Sequence, residues 1–196
     1  MTGLSFTITL PSWVRSVIDF DQVYESDADK MDLANALAMG NVANQSGGPF
    51  GAAIFEESTH RLIAPGVNLV VPEANPTAHA EIVAIGLAGS LLGRYDLSDN
   101  GARPAVLASS VEPCAMCLGA VPWSGVSRVI IGARDADARK VGFDEGDKPS
   151  DWVASLESRG ITVTRDVQRQ HSVLVLNSYV SSGGEIYNTD RGTTDA

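Results

Sequence analysis

Two short segments constrain this chain more than any other feature. Thr77-Ala78-His79-Ala80-Glu81 carries a His-x-Glu, and Glu112-Pro113-Cys114-Ala115-Met116-Cys117 carries a Pro-Cys-x-x-Cys further along. Any fold that uses both must bring one imidazole and two thiols to a single point. Zinc takes nitrogen and thiolate ligands in a tetrahedral shell, and a catalytic zinc keeps one of its four positions open. His79, Cys114 and Cys117 are therefore candidate ligands for one ion, with the fourth position left for water. The chain has no other cysteine, and His60 and His171 stand in unrelated contexts. Glu81 is the carboxylate of the first segment that is not a ligand, and it is the candidate for moving protons.

The spacing suggests how the groups meet. Cys114 and Cys117 are i and i+3, about 60° apart on a helix. Pro113 suits a first helical turn, where its missing N–H costs nothing. His79 and Glu81 are about 200° apart in mid-helix, so they can share a site only over a helix N-terminus. Thr77 is the candidate cap. Two helices then aim their N-termini at one metal, where the helix dipole favours thiolates. Taken singly, the fragments have ordinary readings. A lone Cys-x-x-Cys can be a redox pair, and buried cysteines are often plain core residues. The ordered combination is far more specific.

Composition sets outer bounds. The 196 residues suit one domain, with 44% hydrophobic and 19% charged residues, the balance of a globular protein with a full core. No stretch approaches the roughly 18 apolar residues of a membrane span. The first residues lack the basic region of a signal peptide, which predicts a cytoplasmic protein. A net charge of −10 disfavours a nucleic-acid partner, whose phosphates call for a basic stripe. It points instead to a small, uncharged substrate.

Apolar periodicity predicts helices over 31–44, from His79 to about Leu92, from Cys114 onward, and over 149–159 and 168–181. Strands are expected over 50–55, 61–70, 105–109, 126–132 and 161–164. Residues 1–26 read as a separate N-terminal arm before a domain over 27–196. Helices alternating with apolar strands predict a layered α/β sandwich. Both metal-motif helices follow strands, at the carboxyl ends where α/β sheets bind ligands.

With these motifs the chain resembles the cytidine deaminase superfamily, and within it the bacterial guanine deaminases. Further matching motifs are Gly47-Gly48-Pro49-Phe50-Gly51, Asn68, Trp123 and Gly142-Phe143-Asp144-Glu145. The last is the narrower guanine-type marker, with Glu145 where many relatives have Asp. The resemblance implies a three-layer α/β/α sandwich around a mixed five-stranded sheet. It also implies one zinc per subunit and a homodimer that exchanges its C-terminal tail, residues 183–196. The implied reaction is hydrolytic deamination of a nucleobase, with guanine going to xanthine and ammonia. Glu81 is then the proton shuttle, and Glu145 a second catalytic carboxyl on the amidine edge. Asn68 and the Ala80 N–H would hold the purine carbonyl, and Phe50, Trp123 and Tyr187 would wall the ring.

Other readings are a deaminase of guanosine, an aminotriazine or cytosine, and a tRNA adenosine deaminase. The acidic charge and the motif ending in Glu145 argue against the tRNA enzyme. A zinc-stabilised interaction protein without turnover would have no need of Glu81.

Overall fold

Five strands, four of them apolar runs, form one sheet in the computed structural model, which describes residues 4–187. They are β1 (Gly51–Glu56), β2 (Leu62–Val67), β3 (Ala105–Val111), β4 (Val126–Ala133) and β5 (Thr162–Thr164), in the order β2-β1-β3-β4-β5. β1 runs antiparallel to β2 and β3, whereas β3–β4 and β4–β5 are parallel. The sheet is thus mixed, as expected. Every residue of the central strand β3 is buried, which requires helices on both faces.

On one face lie α2 (Asp27–Ala43) and α7 (Arg169–Ser181). Met31, Leu33, Ala34 and Leu37 of α2 pack on Ala53, Phe55, Val106, Ala108 and Ile130. The opposite face carries α3 (Ala80–Leu92), α4 (Ala115–Ser124) and α6 (Trp152–Glu157). Their Ala80, Ala84, Ala88, Val121, Trp152 and Leu156 meet Ala52, Ile54, Leu107, Val129 and Ile131. This is the three-layer sandwich. Among the described residues no helix is long and apolar enough to cross a membrane.

Several boundaries differ from the apolar pattern for local reasons. α2 begins four residues early because Ser26 and Asp29 form a reciprocal capping box, a polar signal that hydrophobic periodicity does not carry. Two short helices were not anticipated, α1 (Val14–Val17) and α5 (Asp135–Lys140). α5 has no apolar stripe. It carries Asp135 and Asp137 in its first turn and Arg139 and Lys140 in its last, the arrangement that complements the helix dipole.

The N-terminal arm lies against the α2 face. Val14 and Tyr24 are buried, and Ile8, Leu10, Trp13, Val17 and Ile18 pack against the same cluster. Tyr24 sits 5.1 Å from the Phe55 ring. The buried Lys30 ammonium donates to the Tyr24 and Glu25 carbonyls at 2.5 and 3.2 Å, replacing the water it loses.

Two glycines let helices rest directly on the strands. A Cβ on Gly51 would lie 2.3 Å from the Ala34 carbonyl oxygen, and one on Gly66 would lie 2.2 Å from that of Ala80. No side chain fits there unless the helix lifts. We expect Gly66→Ala to destabilise the protein by about 1–3 kcal/mol, the usual scale of overpacking. It should weaken zinc binding as well, because α3 begins next to His79. Urea denaturation and metal titration of the variant check both effects.

Candidate active site

α3 and α4 follow β2 and β3 onto the same face of the sheet, so their N-termini open side by side. The residue before each helix is extended, with φ −71° and ψ 154° at His79 and φ −63° and ψ 173° at Cys114. These N-cap positions turn both side chains inward over the helix ends. His79 Nδ1 lies 3.5 Å from Cys114 Sγ. Cys117, one turn into α4, completes a group whose ligand atoms all lie within 4.8 Å of one another. Tetrahedral zinc with ordinary bond lengths separates such atoms by about 3.5–3.8 Å, so the three fit one ion with small adjustment. No fourth His, Cys, Asp or Glu joins the group among the described residues.

Two local expectations are corrected. Thr77 does not cap α3; it is exposed, and its hydroxyl bonds Asn75 Oδ1 at 2.8 Å. The N-cap is His79 itself. Pro113 is not in the first turn of α4, because Cys114 is the N-cap and the helix begins at Ala115.

Glu81 is buried in the first turn of α3, as its spacing required. Ala80, between His79 and Glu81, packs its methyl into the core. Its N–H belongs to the helix-end amides that have no partner within the helix. Glu145 reaches the site from a loop. Phe143 and Glu145 point inward while Asp144, between them, is only half-buried and accepts from Arg139 at 3.2 Å. The Glu145 carbonyl accepts the Ala115 N–H at 2.9 Å, tying this loop to the start of α4. Phe143 meets Phe50 edge-on at 4.8 Å. Gly142 and Gly146, at φ +105° and +68°, make the turns on either side.

Phe50, Asn68, His79, Glu81, Cys114, Glu145 and Tyr187 all line one cavity of about 20 Å³. That is room for a water and not for a heterocycle. Tyr187 fills the remainder: its hydroxyl accepts from Asn68 Nδ2 at 2.7 Å and its ring lies 6.4 Å from that of His79. Residues 188–196, the rest of the expected tail, lie outside the described residues.

Trp123 does not wall this cavity. It is 85% exposed and borders a separate open groove of about 530 Å³ with Trp152 and Arg159. The reason is helical phase: Trp123 is two residues after the buried Val121, about 200° around α4 and on its outer side.

Two further buried residues stand at and behind the cavity. Glu112 is buried against it and is held by the Arg165 guanidinium and by Lys148 Nζ at 3.6 Å. Phe143 supports Phe50 and Tyr187 from behind. The Glu-Pro-Cys and Gly-Phe-Asp-Glu motifs contain both, but a sequence does not tell a buried glutamate from a solvated one.

The charges are tightly coupled. The neighbouring Cys117 thiol hydrogen-bonds to Cys114 and, with His79, lowers the Cys114 thiol to about 4, against the effect of burial. Cys117 is pushed far up by that same bond and by burial. Burial opposes charge on His79, yet its bond to Cys114 and the Glu81 charge raise it on balance. Burial and the Cys114 charge raise Glu81. Burial, then Cys114 and Glu81, push Glu145 up to about 9.

With this geometry in view, residues 24–133 match the family described as the cytidine and deoxycytidylate deaminase zinc-binding region. The chain belongs to this family. The guanine deaminase of Bacillus subtilis (strain 168) is 41% identical over 124 residues, covering 60% of this chain and 75% of that protein. The structure of guanine deaminase from Nitrosomonas europaea superposes with a TM-score of 0.86 at 40% identity, covering 90% of this chain and 97% of that one. The structure of NE0047 in complex with 2,6-diaminopurine has a TM-score of 0.86 at 42% identity, covering 93% of this chain and 96% of that one.

In zinc-free protein the raised Glu145 carboxyl has a consequence for folding. The unfolded chain gives up this proton near pH 4.5, and the folded chain keeps it to about 9. Between those values the folded state holds the extra proton, so this group's contribution to stability falls as pH rises. Glu145→Gln cannot ionise. The stability of the variant relative to the parent should therefore grow from pH 5 toward pH 9 and vanish below pH 4.5. Urea denaturation of chelator-treated proteins across that range reads it directly.

Proposed function

We propose that this enzyme hydrolyses guanine to xanthine and ammonia. What carries the reading is that two buried carboxyls, Glu81 and Glu145, share one cavity with the His79–Cys114–Cys117 group and the Asn68 amide. Relatives named as guanine deaminases, and a neighbour whose structure is in complex with 2,6-diaminopurine, support it.

His79, Cys114 and Cys117 would hold one zinc per subunit. Zinc bound there supplies a Lewis acid that acidifies water toward neutrality. Glu81 takes the proton of the attacking water as its oxygen bonds to C2 of the base, and passes that proton to the adjacent ring nitrogen. Such a carboxyl works best when its affinity for the proton lies near the working pH, and burial moves Glu81 in that direction. Glu145 faces the amidine edge. Before substrate arrives, burial keeps its carboxyl protonated at neutral pH. The N–H donors of guanine favour the ionised form, so in the tetrahedral adduct Glu145 gives its proton to the amine. The C2–N bond breaks, ammonia leaves, and the second proton of the water, left on the C2 oxygen, returns to Glu145 as the carbonyl forms.

Asn68 Nδ2 already donates to an oxygen, the Tyr187 hydroxyl. The purine carbonyl would take that place, with the Ala80 N–H as a second donor. Phe50 and Tyr187 supply flat apolar walls. The net charge of −10 disfavours a polyanionic substrate such as tRNA. The same reading carries a homodimer at work in the cytoplasm; the expected exchange of tails from residue 183 is at odds with Tyr187, which occupies the cavity of its own chain.

A panel of amino-heterocycles assayed for ammonia release tests the substrate. Guanine should give xanthine, while cytidine and tRNA adenosine stay intact; preferential release of uracil-type or hypoxanthine products would sink the reading. Glu81→Ala should keep zinc and fold yet lose about 10²–10⁴-fold or more in kcat, the scale of general acid–base catalysis. Metal analysis should find one zinc per chain, and the Cys114→Ser, Cys117→Ser double variant should retain none.

A further inference from the structure

The N-terminal arm is joined to the site by a directional chain of hydrogen bonds. Trp13 Nε1 donates to Ser46 Oγ at 2.9 Å. Ser46 Oγ donates to Asn41 Oδ1 at 2.7 Å. The fully buried Asn41 then spends both N–H groups of its amide on backbone carbonyls, those of Gly48 at 2.9 Å and Asn68 at 2.7 Å. The path starts outside the family's matched segment and ends on the residue whose side chain faces the substrate.

We propose that Trp13 and Ser46 are positioning residues for Asn68, so that the arm sets how well the enzyme grips the ring carbonyl. The inference rests on the guanine reading, which gives Asn68 that task. Each link follows from donor and acceptor accounting. The Ser46 hydroxyl has one proton, and it goes to Asn41. With Oδ1 occupied in this way, the Asn41 amide is oriented with its nitrogen toward Gly48 and Asn68, and a flipped amide would set oxygen against two carbonyls. The Asn68 backbone is clamped as a result. Gly47 allows that closeness, since a Cβ there would lie 2.0 Å from the Asn68 carbonyl oxygen. The Asn68 side chain is held by two bonds, one it accepts from the Val70 N–H at 3.3 Å and one it donates to Tyr187, and substrate removes the second. Once substrate enters, the backbone that carries Asn68 and Val70 decides where Nδ2 points, and Asn41 clamps that backbone at Asn68.

Trp13 also packs its ring over Gly40, where a Cβ would meet it at 2.3 Å. A purely structural role for the arm would rest on that packing and would not depend on the N–H. Trp13→Phe keeps a ring and removes the donor, and Ser46→Ala breaks the chain while leaving the arm's packing intact.

The test is steady-state kinetics on guanine and on 2-aminopurine, which has no ring carbonyl for Asn68 to hold. Each variant should lose about three- to tenfold in kcat/KM for guanine, the size of one neutral hydrogen bond, chiefly through KM. Turnover of 2-aminopurine should be unchanged. The double variant should be no worse than Ser46→Ala alone, because both changes cut one path, and Ser46→Thr, which keeps the hydroxyl, should restore guanine use. Side-chain amide resonances of Asn68 should shift in both variants without substrate. Equal losses on the two purines, multiplying losses in the double variant, or unmoved Asn68 resonances would each overturn the proposal. Should Trp13→Phe fail to fold, Ser46→Ala carries the same comparison. If the parent enzyme does not deaminate guanine, the functional reading falls, and the Asn68 resonances alone then decide the relay.

Discussion

The site depends on a match between two spacings. Strands β2 and β3 both run toward the site, and β1 lies between them running the other way. Two strand intervals make about 9.6 Å, which falls within the 8–10 Å at which helices pack. The helices that follow β2 and β3 can therefore lie side by side on one face of the sheet and end level with each other. His79 and Cys114 occupy equivalent positions on neighbouring helices, each the N-cap in extended conformation. With that spacing one ion can reach both. The small residues of α3 and the bare backbone at Gly66 keep the helix close to the sheet.

What converges there is chemically lopsided. Two thiols and the Glu81 and Glu145 carboxyls face one imidazole, while Glu112, a third carboxyl at the cavity, is paired with Arg165 and Lys148. Without an ion such groups cannot all ionise, and they settle by moving apart. Cys114 falls to about 4 while Glu145 rises to about 9. A divalent cation reverses the balance, since it favours every deprotonated partner and releases protons as it binds. The displaced affinities are thus the ion-free face of a cluster built around positive charge. They also hold both carboxyls, Glu81 and Glu145, above the usual carboxylate range.

The meeting of His79, Cys114, Cys117 and Glu81 at one place was legible in the sequence because it follows from residue type and spacing, and strands β1 to β4 because their apolar runs are mostly buried. What stayed hidden depended on phase or on long-range polar contacts. Trp123 sits in a motif-bearing helix, yet its direction is fixed by where α4 starts, and a helix beginning at Ala115 turns it outward. α5 is held by its own charges, which apolar periodicity does not register. Glu112 reads as one more surface acid until Arg165, far along the chain, is found against it. Asn41 looks like an ordinary polar residue of an amphipathic helix, and only the fold shows it buried between two loops.

Those two loops bring both ends of the chain to one residue. From behind, the arm reaches Asn68 through Trp13, Ser46 and Asn41. From in front, the tail covers it with Tyr187. Gly48 stands between, and a Cβ there would lie 3.0 Å from both Asn68 Oδ1 and the Tyr187 ring. The two contacts differ in kind. Asn41 holds a backbone carbonyl with a buried bond, whereas Tyr187 accepts from a side-chain donor. On the proposed reading, the arm fixes the reading group and Tyr187 occupies it until a ring carbonyl competes for the same N–H. Selectivity for a base with an oxygen at that position would then follow from this competition, since an unmet buried donor costs about 1–3 kcal/mol.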